Sequence, residues 1–471
     1  MLKQQLLQAD PEFIIYRFRT RSALLYIRND SRKNMKNIII KTRLAPSPTG
    51  PLHIGTARTA LFNFLFAKKM GGKFIIRLED TDRVRSKKEY EDDIINGLKK
   101  LGISSDEPIA RQTERLDIYN KYIDQLIKSK HAYKKDGAVW FSLDSYPKNI
   151  IKYQDLIMGN IEFRKEQFND FVIRKSDGIP LYMFAATIDD HDMFLTHVIR
   201  GADHINSTPQ QIMIYESLGF DLPQFGHIPL ILNADRSKMS KRKNPVSITA
   251  DFLNKGYLPE AIVNYMALLG WNPKNEREFF TIDELVKEFD IKNVNKSGAV
   301  FDIKKLNYFN NHYINQKTDE EIFDLINKKS KIKNKNDKLK CKKIIKILKP
   351  RLNTLDEFGE LTSYFFKLPK YDPKLLIFKK SDLESTRDGL TIAYGLLLKA
   401  KESIWNDQSK LNELLLQVAT ANKLTNGDVF WPVRVALSGM EKSSSPVEIL
   451  WVLGKEESIN RIQKAIQLIK K

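Results

Sequence analysis

The stretch of sequence that decides the fold is residues 38–55, which read Ile-Ile-Ile-Lys-Thr-Arg-Leu-Ala-Pro-Ser-Pro-Thr-Gly-Pro-Leu-His-Ile-Gly. Its apolar start predicts a strand that ends at Leu44, and the prolines and glycine that follow predict a tight loop. Apolar residues at helical spacing predict a helix beyond Gly55. In an open parallel sheet, ligands bind beyond the carboxyl end of a strand, where free N–H groups of the next helix favour phosphate. We therefore expect His53, at this helix entrance, to donate to a phosphate oxygen, and Gly55 to allow close approach of the ligand to the backbone.

A second predicted strand, residues 73–78, is a largely apolar run followed by Glu-Asp-Thr-Asp. Because this strand lies beside the first in a parallel sheet, an acid at its end is well placed to hold an ammonium group, and Glu79 is the candidate. Asp80 and Asp82 are more typical of acids that cap a helix, here the one expected from Ser86 onward, and that pair with nearby arginines. We expect that local role for both.

The bulk composition limits the class of protein. The chain has 471 residues, 42% of them hydrophobic and 29% charged, which suits a globular protein of two to four domains. It has no apolar run long enough for a membrane-spanning helix. The only cysteine is Cys341, which excludes a disulfide framework and a cysteine-based zinc cage within one chain and indicates a reducing compartment.

The charge balance favours a polyanionic partner. The formal net charge is +20, and a field of this sign attracts nucleic acid. Composition alone does not separate this interpretation from a lysine-rich solvated surface. The densest basic segment, Lys328–Arg351, has Asp337 as its only acid and carries interleaved apolar residues. It therefore predicts a basic amphipathic helix rather than a disordered tail.

Residues 1–36 precede the first strand and contain a second methionine, Met35. We expect them to be a disordered leader or the product of an upstream start. Five arginines among them raise the alternative of an organelle transit peptide, but three acids argue against it.

Three blocks in fixed order carry a family resemblance. Ala-Pro-Ser-Pro-Thr-Gly-Pro-Leu-His-Ile-Gly at 45–55, Ala-Arg-Thr-Ala-Leu-Phe-Asn at 57–63 and Arg-Leu-Glu-Asp-Thr-Asp at 77–82 resemble the start of bacterial-type glutamyl-tRNA synthetases. Lys-Met-Ser-Lys-Arg at 238–242 is similar to the mobile Lys-Met-Ser-Lys-Ser signature of class I synthetases. The resemblance extends from about residue 41 to 315 and continues more weakly to the C-terminus. Further similar blocks are residues 111–115, 170–178, 189–204, 256–271 and 299–302.

The resemblance implies an α/β Rossmann-like class I synthetase catalytic domain followed by an all-α C-terminal anticodon-binding region. The interval from Tyr133 to Val139 is short where relatives usually carry an insertion, in some of them with zinc-binding cysteines, so no zinc is expected. The implied ranges are an N-terminal extension at 1–36, the first half of the catalytic domain at 37–132, a shortened connective subdomain at 133–185, the second half of the catalytic domain at 186–235, the mobile loop with the helical stem-contact domain at 236–320, and the helical anticodon-binding domain at 321–471.

The implied activity is ATP-dependent activation of L-glutamate to glutamyl-adenylate, followed by transfer to the 3′ end of tRNA(Glu). The resemblance implies ATP with Mg²⁺ as cofactors and L-glutamate and tRNA(Glu) as partners, and it leaves charging of tRNA(Gln) open. It also implies a cytoplasmic monomer with no membrane partner. The implied catalytic residues are His53, Gly55, Lys238 and Lys241, and the implied ATP contacts are these four together with Asp203 and Ser240.

Glutamate has two carboxylates and one ammonium group, so its pocket needs two cations and one anion. Guanidinium forks bind carboxylates in a bidentate manner, and Arg43 and Arg200 both end predicted strands. Glu79 supplies the ammonium contact. Asp203 and Ser47 have the alternative of acting only as local caps. By resemblance, the remaining members of the pocket are Ala45, Ser47 and Tyr182, the last through its hydroxyl.

The sequence departs from the family at two positions of the site. Thr56 replaces the second histidine of the class I motif, and its hydroxyl can still donate. Ala186 stands where some relatives use asparagine against the substrate, so one polar contact is expected to be absent or supplied by water. In the C-terminal region, Arg351 falls where glutamate-restricted relatives read the third anticodon base, and a purely structural role for it stays open.

Three other interpretations compete with a complete glutamate–tRNA ligase. Glutaminyl-tRNA synthetase shares the fold, but relatives of that kind carry β-barrels in the C-terminal half. The glutamyl-Q type relative, which glutamylates a modified tRNA base, lacks the helical C-terminal region. A non-catalytic RNA-binding homologue would have no reason to keep His53, Lys238 and Lys241.

Overall fold

The computed structural model describes residues 39–239, 246–330 and 334–469, so the N-terminal extension 1–36 and the start of the predicted first strand lie outside it. The first elements, in chain order, are β1 (Lys41–Leu44), α1 (Ile54–Lys69), β2 (Lys73–Leu78), α2 (Lys88–Lys100) and β3 (Ala110–Arg111). β1 is parallel to β2, and β2 is parallel to β3. The carboxyl ends of β1 and β2 therefore open onto the same edge of the sheet, as the sequence predicts.

α1 begins at the predicted helix entrance because His53 caps it. The backbone of His53 is extended, and its Nδ1 accepts the N–H of Gly55 at 3.0 Å. Lys68 and Lys69 lie in the last turn, where cations suit the helix dipole. Gly71 then adopts a φ of 65°, which lets the chain turn back into β2.

The next section adds a second group of strands. Its elements are α3 (Leu116–Lys128), β4 (Ala132–Lys135), β5 (Ala138–Phe141), β6 (Ile150–Asp155), β7 (Gly159–Arg164), β8 (Phe171–Arg174), α4 (Tyr182–Asp192), β9 (His197–Gly201), α5 (Thr208–Ser217) and β10 (Gln224–Ile228). β10 lies between β6 and β9 and is parallel to both, whereas β4, β5 and β8 form a small antiparallel sheet. The Thr196 N–H donates to the Lys41 carbonyl at 3.1 Å, and the Lys41 N–H donates to the Thr196 hydroxyl at 2.8 Å. β9 is thus anchored beside β1.

A third section joins the sheets to the C-terminal helices. It contains the short strands β11 (Ile231–Leu232) and β12 (Ala299–Val300) and the helices α6 (Pro259–Leu268), α7 (Ile282–Glu288) and α8 (Ile303–Gln316). The buried Asn310 of α8 accepts the Leu258 N–H at 2.7 Å and donates to the Asn353 carbonyl at 2.6 Å. One amide side chain therefore links the start of α6 to the C-terminal region.

The C-terminal region is helical, as predicted. Its helices are α9 (Asp319–Ser330), α10 (Lys335–Leu348), α11 (Glu357–Phe366), α12 (Leu383–Lys399), α13 (Gln408–Ala421), α14 (Asn426–Ser438) and α15 (Pro446–Ile469). The expected basic amphipathic helix is α10, which buries Ile344, Ile345 and Leu348. Before α15, the Glu448 N–H donates to the Ser445 hydroxyl while Glu448 accepts the Ser445 N–H, which is a reciprocal cap.

The apolar interior forms two clusters. The smaller one lies among α3, the small antiparallel sheet, α4 and α5. The larger one is continuous from α1 through α6 and α8 into the helices up to α15. Within the described residues, no helix is both long enough and apolar enough to cross a membrane.

The acids after β2 correct one expectation. Asp82 pairs with Arg85 as expected, with Oδ2 2.7 Å from Nε. The expected cap is wrong, because α2 begins at Lys88 with no side-chain cap. Asp80 instead accepts the N–H and the hydroxyl of Thr113 at 2.9 and 2.6 Å. It therefore fixes the end of β2 to the loop that follows β3.

The expected domain ranges cut through single elements at three places. The borders at 132/133, 185/186 and 320/321 fall inside β4, α4 and α9 respectively. The ranges themselves stay predictions.

Candidate active site

The N-terminus of α1 presents a histidine that can donate a hydrogen bond. Because His53 Nδ1 accepts the Gly55 N–H, a neutral imidazole carries its hydrogen on Nε2. A donor beside the N–H groups of a helix entrance suits an anion. A Cβ at Gly55 would lie 3.3 Å from His53 Nδ1, so this glycine leaves room for the histidine ring itself.

The segment that follows the Lys-Met-Ser-Lys-Arg sequence returns to the same helix entrance. The Ile54 N–H donates to the Val246 carbonyl at 2.8 Å, and the Ile248 N–H donates to the Leu52 carbonyl at 2.9 Å. Residues 240–245, which include the predicted site residues Ser240 and Lys241, lie outside the described residues. The described chain that flanks them is nevertheless anchored within two residues of His53.

Lys238 precedes that gap and pairs with a second predicted site residue. Its Nζ lies 3.3 Å from Asp203 Oδ2, and both side chains are about half exposed. Such an exposed ion pair contributes little stability. A Cβ at Gly201 would lie 2.4 Å from Asp203 Oδ1, so the glycine at the end of β9 makes room for this carboxylate.

Arg43 ends β1 and is buried against a carboxylate of α4. Its Nε and Nη2 lie 3.3 and 3.2 Å from the two oxygens of Asp190. Burial opposes the charge on Asp190, but Arg43 and Arg77 hold the pKa of Asp190 below its ordinary value. The predicted pocket arginine thus has a protein partner that fixes its orientation.

Arg77 on β2 is the centre of a buried ionic cluster that the sequence analysis missed. Its Nη1 lies 2.6 Å from Asp190, its Nη2 3.2 Å from Glu79 and its Nε 3.4 Å from Asp189. Burial opposes the charge of Arg77, but these carboxylates raise its pKa well above the ordinary value. Asp189 is held in addition by the side chains of Gln112, Arg115 and Tyr119.

Glu79 lies at the edge of this cluster and is almost fully buried. Burial raises the pKa of Glu79 to about 7, although Arg77 and Arg43 act in the opposite direction. The carboxylate is therefore poised between its neutral and charged forms near neutral pH. A cationic ligand beside it would favour the charged form.

Tyr182, at the start of α4, is affected by the charges of the other predicted pocket residues. Its pKa is raised by burial and by the charge of Glu79, whereas the charges of Arg200 and Arg43 lower it. Charges on β1, on β9 and just after β2 thus all act on one hydroxyl at the start of α4. That hydroxyl lies 3.3 Å from His204 Nδ1.

Arg200 ends β9 and is held on two sides. Its Nε donates to His227 Nε2 at 3.2 Å, and its Nη2 donates to the Thr208 hydroxyl at 2.8 Å. Its Nη1 is buried and has no hydrogen-bond partner among the described residues. A buried guanidinium N–H without a partner is costly, and a carboxylate ligand would satisfy it.

The remaining predicted pocket residues differ in exposure. Ser47 is exposed and Ala45 is half-buried in the loop after β1. Ala186 lies one turn after Tyr182 on α4 and is fully buried. The roles of these residues in the pocket stay predictions.

Arg351 lies apart from these residues, in the turn after α10. Its guanidinium makes two bonds of 3.2 and 2.8 Å to the carboxylate of Glu448, which also caps α15. The side chain is about half exposed and helps to line an open concavity of about 410 Å³, together with Lys304, Asn307, Tyr308, Asn311, Pro350 and Asn353.

Comparisons with known proteins agree with this arrangement. The family described as "tRNA synthetases class I (E and Q), catalytic domain" matches residues 39–138 and 143–308. The family described as "Anticodon binding domain" matches residues 311–466. Together the two matches include most of the chain.

Individual relatives are similar over almost their whole length. Glutamate–tRNA ligase 1 of Petrotoga mobilis is 39% identical, over 91% of this chain and 98% of the relative. Glutamate–tRNA ligase of Aquifex aeolicus is 38% identical, over 91% and 99%. A solved glutamate tRNA ligase from Elizabethkingia meningosepticum, in complex with its amino acid, has a TM-score of 0.79 at 30% identity and covers 91% of this chain and 99% of that one.

Proposed function

Because the chain belongs to the class I glutamate–tRNA ligases, we infer that it activates L-glutamate with ATP and transfers the glutamyl group to the 3′ end of tRNA. The predicted family, the Rossmann-like catalytic domain and the helical C-terminal region are confirmed by the same matches. The observation that supports the substrate assignment is that the carboxyl ends of β1, β2 and β9 bury two arginines and one glutamate, Arg43, Arg200 and Glu79, and that Arg200 Nη1 has no hydrogen-bond partner among the described residues.

In the first step, a glutamate carboxylate oxygen bonds to the α-phosphorus of ATP while the bond to pyrophosphate breaks. The protein positions these groups and stabilises negative charge on the phosphates. We assign His53 to a phosphate oxygen, because its Nε2 donor lies at the N-terminus of α1. Lys238 and Lys241 are assigned to the leaving pyrophosphate. Lys238 would leave Asp203 and bind the pyrophosphate instead. Because an exposed ion pair contributes little stability, breaking the contact with Asp203 costs little free energy.

The glutamate pocket follows from the charges of its lining. Arg43 and Arg200 are assigned to the two carboxylates, and Glu79 to the ammonium group. Asp190 binds Arg43 through Nε and Nη2, so the Nη1 of Arg43 can face the substrate. The Tyr182 hydroxyl, Ala45 and Ser47 are proposed to complete the lining.

The ATP and cofactor contacts are proposed on the same basis. Gly55 and Ser240 are assigned to ATP, and Asp203 to its ribose or adenine. Members of the class I family use ATP, and Mg²⁺ is proposed to enter with the phosphates. Mg²⁺ would neutralise phosphate charge there, while the residues named above hold the organic parts of the substrates.

In the second step, a hydroxyl of the terminal tRNA ribose attacks the glutamyl carbonyl and AMP leaves. We propose tRNA(Glu) as the acceptor, with Arg351 as a reader of the third anticodon base and the basic helix α10 as a phosphate-binding surface. The single cysteine supports a reducing compartment, for which we propose the cytoplasm, and we propose a monomer. The helical region matched as an anticodon-binding domain supports a complete ligase over a truncated relative.

The activity is tested by exchange of labelled pyrophosphate into ATP with the purified chain. We expect exchange with glutamate, and only when tRNA(Glu) is present. Exchange with glutamine instead of glutamate, or with neither amino acid, would contradict the proposed function. Aminoacylation of separately purified tRNA(Glu) and tRNA(Gln) then decides whether both are substrates.

The role of the Lys-Met-Ser-Lys-Arg loop is tested with Lys241→Ala. If Lys241 stabilises the leaving pyrophosphate, the variant slows adenylation by about 100-fold, whereas the Kd for tRNA changes by less than about 3-fold. Single-turnover adenylation and filter binding of tRNA measure the two quantities. Similar losses in both would remove the assigned role.

A further inference from the structure

Three neighbouring parallel strands place three polar side chains in a row at the carboxyl edge of the sheet. The strands β6, β10 and β9 are adjacent in that order, and they carry Asp155, His227 and Arg200. His227 lies opposite Arg200 in the register of β10 and β9. All three side chains are buried, so their hydrogen bonds are strong and their rotamers are fixed.

Asp155 determines which nitrogen of His227 carries the hydrogen. One oxygen of Asp155 accepts the N–H groups of Ile157, Met158 and His227 at 2.9, 2.8 and 3.2 Å. The other oxygen lies 2.6 Å from His227 Nδ1. Burial opposes the charge of Asp155, but the hydrogen bonds from His227 and the backbone hold its pKa below the ordinary value. An ionised carboxylate can only accept, so Nδ1 of His227 must donate.

His227 is therefore an acceptor at its other nitrogen. Burial and the charge of Arg200 lower the pKa of His227, against the effect of Asp155, so the ring is neutral near pH 7. Neutral His227 with a hydrogen on Nδ1 has an acceptor lone pair on Nε2, and this nitrogen lies 3.2 Å from both the Arg200 Nε–H donor and the Thr208 hydroxyl oxygen. The Thr208 hydroxyl donates to the His204 carbonyl at 2.9 Å and can thus accept from Arg200 Nη2.

We propose that Asp155 and His227 form a positioning relay that fixes the guanidinium of Arg200 so that its remaining edge, at Nη1, faces a carboxylate of the amino-acid substrate. His227 and Thr208 occupy Nε and Nη2, and the buried Nη1 is the donor left without a protein partner among the described residues. The relay acts on substrate only through Arg200, so Asp155 and His227 are positioning residues. This inference rests on the proposed function, in which Arg200 binds glutamate.

The test compares two amides at position 227. The amide of asparagine in His227→Asn falls near the position of Nδ1, so it keeps a donor for Asp155 and loses the acceptor for Arg200. The longer side chain in His227→Gln places its carbonyl near the position of Nε2 and keeps that acceptor. We expect His227→Asn to raise the KM for glutamate by about 10-fold or more and to leave the KM for ATP within about 2-fold. We expect His227→Gln to recover most of that loss.

His197→Asn is the matched control, because His197 begins β9, packs its ring against Phe66 and makes no hydrogen bond to Arg200. It should leave the KM for glutamate unchanged. In an Arg200→Lys background, which has no guanidinium to orient, His227→Asn should add less than about 2-fold.

Equal effects of the asparagine and glutamine variants would overturn the relay, as would equal losses for glutamate and ATP. Pyrophosphate exchange by the unaltered chain with glutamate tests the proposed function separately from these comparisons. Thermal unfolding of each variant is the second measurement. If the KM for glutamate changes only in proportion to the loss of thermal stability, His227 has a packing role alone and the proposal is wrong.

Discussion

At the scale of single residues, Glu79 couples the candidate pocket to pH. Burial raises its pKa to about 7 in the ligand-free protein, and only the ionised form can pair with an ammonium group. Protonation as the pH falls below about 7 should therefore weaken glutamate binding. Because kcat/KM reports the free enzyme, the change should appear in kcat/KM for glutamate.

We predict that kcat/KM for glutamate decreases about 10-fold for each pH unit well below 7. Glu79→Gln should remove this acid limb and raise the KM for glutamate by about 100-fold, since the ammonium group loses its charged partner. Pyrophosphate exchange between pH 5.5 and 8.5 measures both effects. Glu89→Gln, at an exposed site of α2, is the control and should keep the wild-type profile. An unchanged acid limb in Glu79→Gln would assign the titration to another group.

Asp190 links the pocket to stability, because it neutralises two buried arginines at once. Asp190→Asn would leave Arg43 and Arg77 without their shared partner, and breaking a buried pair costs about 3 to 5 kcal/mol. We predict a decrease of about 3 kcal/mol in the free energy of unfolding, measured by urea denaturation. Asp92→Asn removes an exposed partner of Lys88 on α2 and should cost less than about 0.5 kcal/mol. Equal effects of the two variants would contradict the role of the cluster.

The site was predictable from sequence only in part at this scale. Arg43 and Glu79 were proposed because each stands at the end of a strand within a short motif. The partners of these residues were not found, since Arg77 and Asp190 are 113 positions apart and no local pattern joins them. A charged residue between the apolar residues 74–76 and Leu78 was the one available signal for Arg77.

At the scale of elements, α12 contains two glycines in different surroundings. A Cβ at Gly389 would lie 2.3 Å from the Asp428 carbonyl oxygen at the start of α14, whereas a Cβ at Gly395 would meet nothing within 4 Å. The first glycine thus allows two helices to approach closely. The second only leaves the helix backbone more flexible.

We predict opposite effects when each glycine becomes alanine. Gly389→Ala should lower the free energy of unfolding by about 2 kcal/mol, because α14 must move away. Gly395→Ala should raise it by about 0.5 to 1 kcal/mol through helix propensity. Chemical denaturation of the full chain measures both. A stabilising Gly389→Ala would show that the helices are not in close contact.

Elements were easier to predict than their arrangement. Periodicity predicted α1, because helical spacing depends on residues a few positions apart. The absence of a helix cap at Asp80 was not predictable, since Thr113 reaches that carboxylate from the loop after β3. Pairing of β6 with β10 likewise depends on strands that are separated by a long interval of sequence.

At the scale of the whole molecule, Arg351 is part of a link between the turn after α10 and the start of α15. Its guanidinium is held by Glu448, so a nucleotide base that binds Arg351 must share or replace this carboxylate. Binding of that base would then change the ion pair at the junction between the turn after α10 and the start of α15.

We predict that Arg351→Gln lowers the preference for tRNA(Glu) over tRNA(Gln) by about 10-fold, because one specific base contact contributes about 1 to 3 kcal/mol. The measurement is kcat/KM for aminoacylation with each purified tRNA. Arg387→Gln removes the same charge from an exposed site on α12 and should leave the ratio unchanged. If both variants change the ratio equally, Arg351 contributes charge and no base recognition.

The fold class was predictable from the sequence, but the continuity of the apolar core was not. The motifs indicated a Rossmann-like half and a helical half, and both are confirmed. The sequence carried no sign that one apolar core continues from α1 to α15, because that continuity depends on side chains from many distant elements.

The anchoring of β1 beside β9 has a consequence for biosynthesis. Lys41 and Thr196 are 155 residues apart, so at about 5 to 20 residues per second a ribosome needs on the order of 10 to 30 s to deliver the second partner after the first. During that time β1 can pair with β2 on one edge only. Lys41 and Arg43 place two cations within its four residues, and charged edge strands are poor templates for other chains. We therefore expect these two cations to lower the tendency of the nascent chain to aggregate before β9 is made.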